Sequence, residues 1–174
     1  MLKREISERL YSWKNENKKK ALCVIGARQI GKTTIIREFA RKEYEYFVEV
    51  NFILDKGAGQ IFDGKLDADT IIENLTAFKM QKLEPGKTLI FLDEIQKVPQ
   101  FEKVVDSLYI KSDTDIYITG SNAYMLSGEL ATLLSGRYVE ISMLPFSFQE
   151  YCQLNRKPQE DAFADYMKFG GLPL

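Results

Sequence analysis

The sequence predicts an α/β protein with a mostly parallel sheet covered by helices on both faces. Short apolar, β-branched runs alternate along the chain with longer stretches at helical spacing. The runs read as strands buried on two sides rather than one. A glycine-rich turn joins the first run to the helical stretch behind it, the usual connection in such sheets. The chain has 174 residues, room for one main domain and a small appendage.

Leu2, Ile6, Leu10 and Trp13 predict an amphipathic helix over residues 2–14, with Lys3, Arg4, Glu5, Glu8 and Arg9 facing outward. The polar "KNENKKK" behind it reads as a solvated linker. Strands follow as "ALCVIG" (21–26), "YFVEVNF" (46–52), "TLIFLD" (88–93), "DIYITG" (115–120) and "YVEISM" (138–143). Helices are expected from Lys32 to about Lys42, Asp67 to Lys82, Phe101 to Lys111 and about Tyr124 to Leu134. Two short helices, Ser147 to about Leu154 and Pro158 to about Phe169, should close the chain before "GGLP" breaks the second. The expected units are a helix and linker at 1–20, a core at 21–144, and the start of a helical lid at 145–174, apparently truncated.

Lysine plus arginine number 24 against 25 for aspartate plus glutamate. Overall charge therefore gives no reason to propose a nucleic-acid or membrane partner, and the sequence does not exclude a local nucleic-acid site. Cys23 and Cys152 lack a metal-ligand or redox spacing, which suits a reducing compartment. The N-terminus lacks the apolar centre of a signal peptide, and no run approaches a bilayer span. A cytoplasmic protein is expected. Histidine is absent from the sequence, so a general base must be a carboxylate.

"GARQIGKTT" (Gly26, Ala27, Arg28, Gln29, Ile30, Gly31, Lys32, Thr33 and Thr34) matches GxxxxGK[ST] between a predicted strand and a predicted helix. Its glycines let backbone amides turn toward phosphate oxygens at a helix N-terminus, where the helix dipole favours anions. Lys32 would reach the β- and γ-phosphates, and the Thr33 hydroxyl would ligate Mg²⁺. "TLIFLDEIQ" brings Asp93 to the C-terminal edge of a buried strand, where it would serve the same Mg²⁺. Glu94 would polarise the attacking water. A strand ending in Asp-Glu is also an ordinary helix-start signal; the phosphate loop makes it chemistry.

With these blocks in order, "GARQIGKTT", "LIFLDEIQKVPQFE", "IYITGSNAYML" and "LSGRYVEISMLPFSFQEY", the chain resembles the AAA+ superfamily of ATPases. Within it, the chain is similar to prokaryotic members that continue into a C-terminal domain of unknown function. The resemblance runs from about Ala21 to the last residue. It implies a P-loop NTPase of three α/β/α layers on a five-stranded parallel sheet ordered 5-1-4-3-2, with a partial helical lid and with ATP hydrolysis as the activity. It further implies that Ser121 or Asn122 helps to position the hydrolytic water and that Arg137 acts as an arginine finger on a neighbouring subunit, which would make the active form a homo-oligomer. Turn formation and a helix-end cation are the structural alternatives for these three.

In some members, a polar residue at the position of Asn51 restrains the catalytic glutamate; turn chemistry is the plainer reading. "IFDG", with Phe62 and Gly64, faintly resembles an aromatic pore loop, against a buried Phe before a turn. Arg28, Gln29 and Gln96 match the family's sequences without a physical role to assign them. No arginine after Arg137 is marked as the lid's nucleotide contact. The sequence thus supports a Mg²⁺-dependent ATPase coupled to a partner or to a missing C-terminal domain. The alternative is a nucleotide-gated module with little turnover. A small-molecule kinase fits less well, because adjacent Asp93 and Glu94 suit water activation.

Overall fold

The computed structural model describes residues 4–16, 20–111, 113–120, 136, 138–155 and 158–172. The helix expected between Tyr124 and Leu134 lies outside them, as do Ser121, Asn122 and Arg137. Helix α1 (Glu5–Lys14) leads into β1 (Ala21–Ile25), α2 (Lys32–Glu43) and β2 (Tyr46–Asn51). A 3₁₀ turn (Ala58–Phe62), α3 (Ala68–Lys79), β3 (Thr88–Asp93) and α4 (Phe101–Lys111) follow. The described elements end with β4 (Asp115–Thr119), β5 (Tyr138–Ser142), α5 (Phe148–Asn155) and α6 (Gln159–Phe169). The strands form one sheet in the order β2-β3-β4-β1-β5, and every pairing is parallel. Read from the other edge, this is the expected 5-1-4-3-2.

Strand alternation divides the core in two. Leu22 and Val24 of β1, Leu89 and Phe91 of β3 and Tyr117 of β4 face α1 and α2, where they meet Leu10, Trp13, Ile36 and Phe39. Ala21, Cys23, Ile25, Ile90, Leu92, Ile116 and Ile118 point the other way, toward α3, α4 and the 3₁₀ turn. Successive residues serve opposite layers, which is why β1 and β3 are buried at every position. Burial also pushes the Cys23 thiol upward, with Glu140 adding to the shift; a thiol held neutral is inert.

Element ends agree with expectation to within a residue, apart from the start of α1 and the end of α3. Helix α3 is shorter: Asp67 caps its start by accepting from the Thr70 amide, and Met80 ends it at φ 48°, with its N–H donating to the Thr76 carbonyl. Glycine usually marks such a left-handed end, so nothing in "FKMQK" announced the stop.

Arg4 overturns one expectation. Its place in the helical pattern directed it to solvent, yet it is 7% exposed. Nε donates to Glu150 Oε1 at 3.2 Å, Nη1 to the Ile30 carbonyl at 3.1 Å and Nη2 to the Leu144 carbonyl at 2.8 Å. The guanidinium carbon stands 4.2 Å from the centre of the Phe146 ring. Glu150 also accepts the backbone N–H of Glu5 at 3.0 Å and of Ser147 at 2.9 Å. A planar five-donor fork can satisfy several acceptors at once, so burial of this charge follows from its partners. The helical pair beyond is closed by Tyr166 Oη donating to the Phe146 carbonyl at 2.8 Å and by the Phe146 N–H donating to the Gly171 carbonyl at 2.7 Å.

Leu10 is fully buried between the helices and the sheet, so Leu10→Ala should cost about 2–5 kcal/mol in urea unfolding. Burial alone would raise the Glu150 carboxyl, but the amides of Ser147 and Glu5 and the Arg4 guanidinium outweigh it and hold the group below its ordinary value. A lowered folded-state value contributes stability that is present above the unfolded carboxylate range and is lost as pH falls through the lowered folded-state value. Unfolding midpoints measured from about pH 6 to about pH 3 should therefore fall less steeply in Glu150→Gln than in the wild type.

Candidate functional site

The site is built where β1 turns into α2. Gly26 sits at φ 153°, and a Cβ there would lie 2.3 Å from the Met143 carbonyl oxygen; only glycine lets the loop pass the exit of β5. Gln29 at φ 61° and Gly31 at φ 93° complete the turn. Helix α2 then starts at Lys32 with neither a side-chain cap nor an acidic residue in its first turn. Its leading N–H groups, with the positive end of the helix dipole, are arranged to receive an anion.

The Lys32 ammonium folds back over the loop, donating to the Gly26 carbonyl at 3.0 Å and the Ala27 carbonyl at 2.6 Å. Burial holds its pKa below the ordinary lysine value, against the opposing pull of Glu94 and Asp93, and Arg28 adds to the lowering. A phosphate would offer this ammonium charged oxygens in place of two neutral carbonyls.

Asp93 ends β3 in register with Asn51 on β2 and is 4% exposed. Its Oδ2 accepts from Thr33 Oγ1 at 3.1 Å and from Asn51 Nδ2 at 2.7 Å. Its Oδ1 accepts from Thr119 Oγ1. The hydroxyl and carboxylate pair of Thr33 and Asp93 is a hard oxygen set, which suits Mg²⁺. That ion commonly takes one or two carboxylates and completes its shell with water and substrate phosphates. Such a site needs no larger cage, and among the described residues no group of three His, Cys, Asp or Glu forms one.

Glu94 adopts φ 59°, a left-handed conformation rare outside glycine. Strain of this kind collects at functional sites. Its N–H donates to Thr119 Oγ1 at 3.3 Å, and its Oε2 accepts from Gln96 Nε2 at 2.6 Å. Gln96 thus has a partner that the sequence did not reveal. Its Oε1 is buried and has no partner among the described residues. Thr119 is the other unforeseen participant; a polar residue in the last position of a buried strand was its signal.

Asn51 contacts Asp93 rather than Glu94, and its Oδ1 accepts the N–H groups of Ile53 and Leu54, both at 2.9 Å. The turn reading holds for its carbonyl. Phe62 is buried beside Phe52, with ring centres 5.4 Å apart, as the plainer reading of "IFDG" expects. Arg28, Gln29, Gly31, Lys32, Thr33 and Thr34 line one cleft with Asp93, Glu94 and Gln96. Its volume of about 740 Å³ lies within the usual range of small-molecule sites.

The AAA domain family matches residues 18–152, most of the chain and all five strands. The chain belongs to this family. An uncharacterized protein of Haemophilus influenzae is 48% identical over 92 residues, covering 50% of this chain and 23% of that protein. Two uncharacterized proteins of Methanocaldococcus jannaschii are each 27% identical, over 167 and 159 residues. These matches cover 88% and 87% of this chain but only 36% and 31% of the relatives. The chain therefore spans about a third or less of the length of these curated relatives. Among its described residues no helix is long and apolar enough to cross a membrane.

Gly26→Ala should force the loop away from Met143 and destabilise the AAA domain by at least about 2 kcal/mol in urea unfolding. Gly59→Ala, with nothing within 4 Å of the added methyl, should stay within about 0.5 kcal/mol of the wild type.

Proposed function

We propose that this AAA domain binds ATP with Mg²⁺ and hydrolyses it, using the free energy to change the conformation of an attached or partner protein. The observation that carries this reading is the meeting of Lys32, Thr33, Asp93 and Glu94 around the uncapped start of α2. The loop amides and the helix dipole bind the phosphates. Lys32 moves from the Gly26 and Ala27 carbonyls to the β- and γ-phosphate oxygens. Thr33 and Asp93 would hold Mg²⁺, which when bound neutralises phosphate charge. Asn51 and Thr119 orient the Asp93 carboxylate from either side.

Glu94 takes the role of general base, orienting a water and receiving its proton, since no histidine competes for it. The bond from Gln96 fixes which carboxylate oxygen remains for that water. Ser121 or Asn122 would help to position the hydrolytic water, and Arg137 would complete the site of a neighbouring copy in a homo-oligomer. In this reading the coupled element is a protein partner or an attached C-terminal domain. A membrane is not part of the reading, and the expected setting is the cytoplasm.

The same Gln96 bond supports a second reading, a nucleotide-gated module, because a carboxylate already engaged by an amide is a poorer base until something draws Gln96 away. Calorimetry and phosphate release with MgATP, across a protein concentration series, separate the two. An ATPase gives turnover that rises with concentration and falls by about 10²–10⁴-fold in Glu94→Gln, with binding retained. Tight binding without turnover at any concentration selects the gated module, and no binding at all overturns both.

A further inference from the structure

Arg4 precedes the stretch matched by the family, residues 18–152, yet it reaches into the phosphate loop. Its Nη1 donates to the carbonyl of Ile30, the residue just before Gly31. In a trans peptide the carbonyl and the following N–H point in opposite directions. A guanidinium that anchors the Ile30 carbonyl therefore turns the Gly31 N–H away from itself, and Gly31 lines the cleft. The Ile30 side chain is fully buried, so this peptide plane is held at its oxygen and at its preceding side chain.

The other two arms of Arg4 explain why it can act as a fixed point. Nε is held by Glu150 and Nη2 by the Leu144 carbonyl, while the Phe146 ring covers its face. Leu144 directly follows Met143, whose carbonyl sets the closest approach to Gly26. The loop is thus braced at both ends, at Gly26 by the exit of β5 and at Ile30 by Arg4.

We propose that Arg4 is a positioning residue for the phosphate loop: it orients the Ile30–Gly31 peptide so that the Gly31 N–H faces the anion, and it ties that orientation to the seating of Glu150 and the α5–α6 pair. The inference deepens the nucleotide-binding reading and rests on it only for the identity of the anion.

The test compares the wild type with Arg4→Lys, which keeps the charge but cannot span three acceptors. A paired Arg4→Gln and Glu150→Gln variant, which leaves no lone buried charge, serves if Arg4→Lys does not fold. Two quantities are read: the NMR order parameter of the Gly31 amide without ligand, and the calorimetric Kd for MgADP. The expected result is a Gly31 order parameter falling from about 0.85 toward about 0.6 or below, with the α1 amides unchanged. MgADP binding then weakens by about tenfold, the loss of one oriented donor to a charged group. A Gly31 amide and a Kd like those of the wild type, with change confined to α1, would overturn the proposal and leave Arg4 as a staple for the helix. If the wild type does not bind MgADP, the nucleotide reading fails, and the Gly31 order parameter alone still decides whether Arg4 orients the loop.

Discussion

The burial of one carboxylate organises this molecule. Asp93 is 4% exposed, and an unpartnered carboxylate in such a position would cost several kcal/mol or give up its charge. Its three donors come from three elements: Thr33 from the first turn of α2, Asn51 from the end of β2 and Thr119 from the end of β4. The order β2-β3-β4-β1 is what brings them there. Asn51 and Thr119 arrive from the neighbouring strands, while α2, launched by β1, comes over the edge of β4. The parallel sheet gathers all its strand ends on one side, so satisfying Asp93 and assembling the cleft are a single structural event.

A second buried charge plays the matching part at the end of the chain. Arg4 and Glu150 are 146 residues apart in sequence, and each also binds backbone groups that no secondary structure satisfies. Removing either partner alone would leave an uncompensated buried charge, typically costing about 3–5 kcal/mol. The two networks meet in the glycine-rich loop. One grips α2 through Thr33 and the other grips Ile30, three residues earlier.

The strands were legible because residues buried on two faces must be apolar at every position, as "TLIFL" and "ALCVI" are. Asp93 and Glu94 drew notice only beside the glycine-rich loop, because a strand ending in Asp-Glu is by itself an ordinary helix start. What escaped was decided at long range or by backbone geometry. Helical spacing sends Arg4 to solvent because periodicity carries no information about a carboxylate on a distant helix. Thr119 was concealed by its own suitability for a strand. Gln96 meets Glu94 only because Glu94 enters a left-handed turn, and Met80 stops α3 in a conformation that its side chain does not advertise.

The packing of α1 has one further consequence. The chain's one tryptophan, Trp13, is 5% exposed and sits edge-on to Tyr117 with ring centres 5.0 Å apart. That indole lies on the same helix that starts immediately after Arg4. Its intrinsic fluorescence is therefore a built-in reporter on the docking of α1. An indole held in an apolar contact emits at shorter wavelength than one released to water, so the seating of this helix can be followed without any added label.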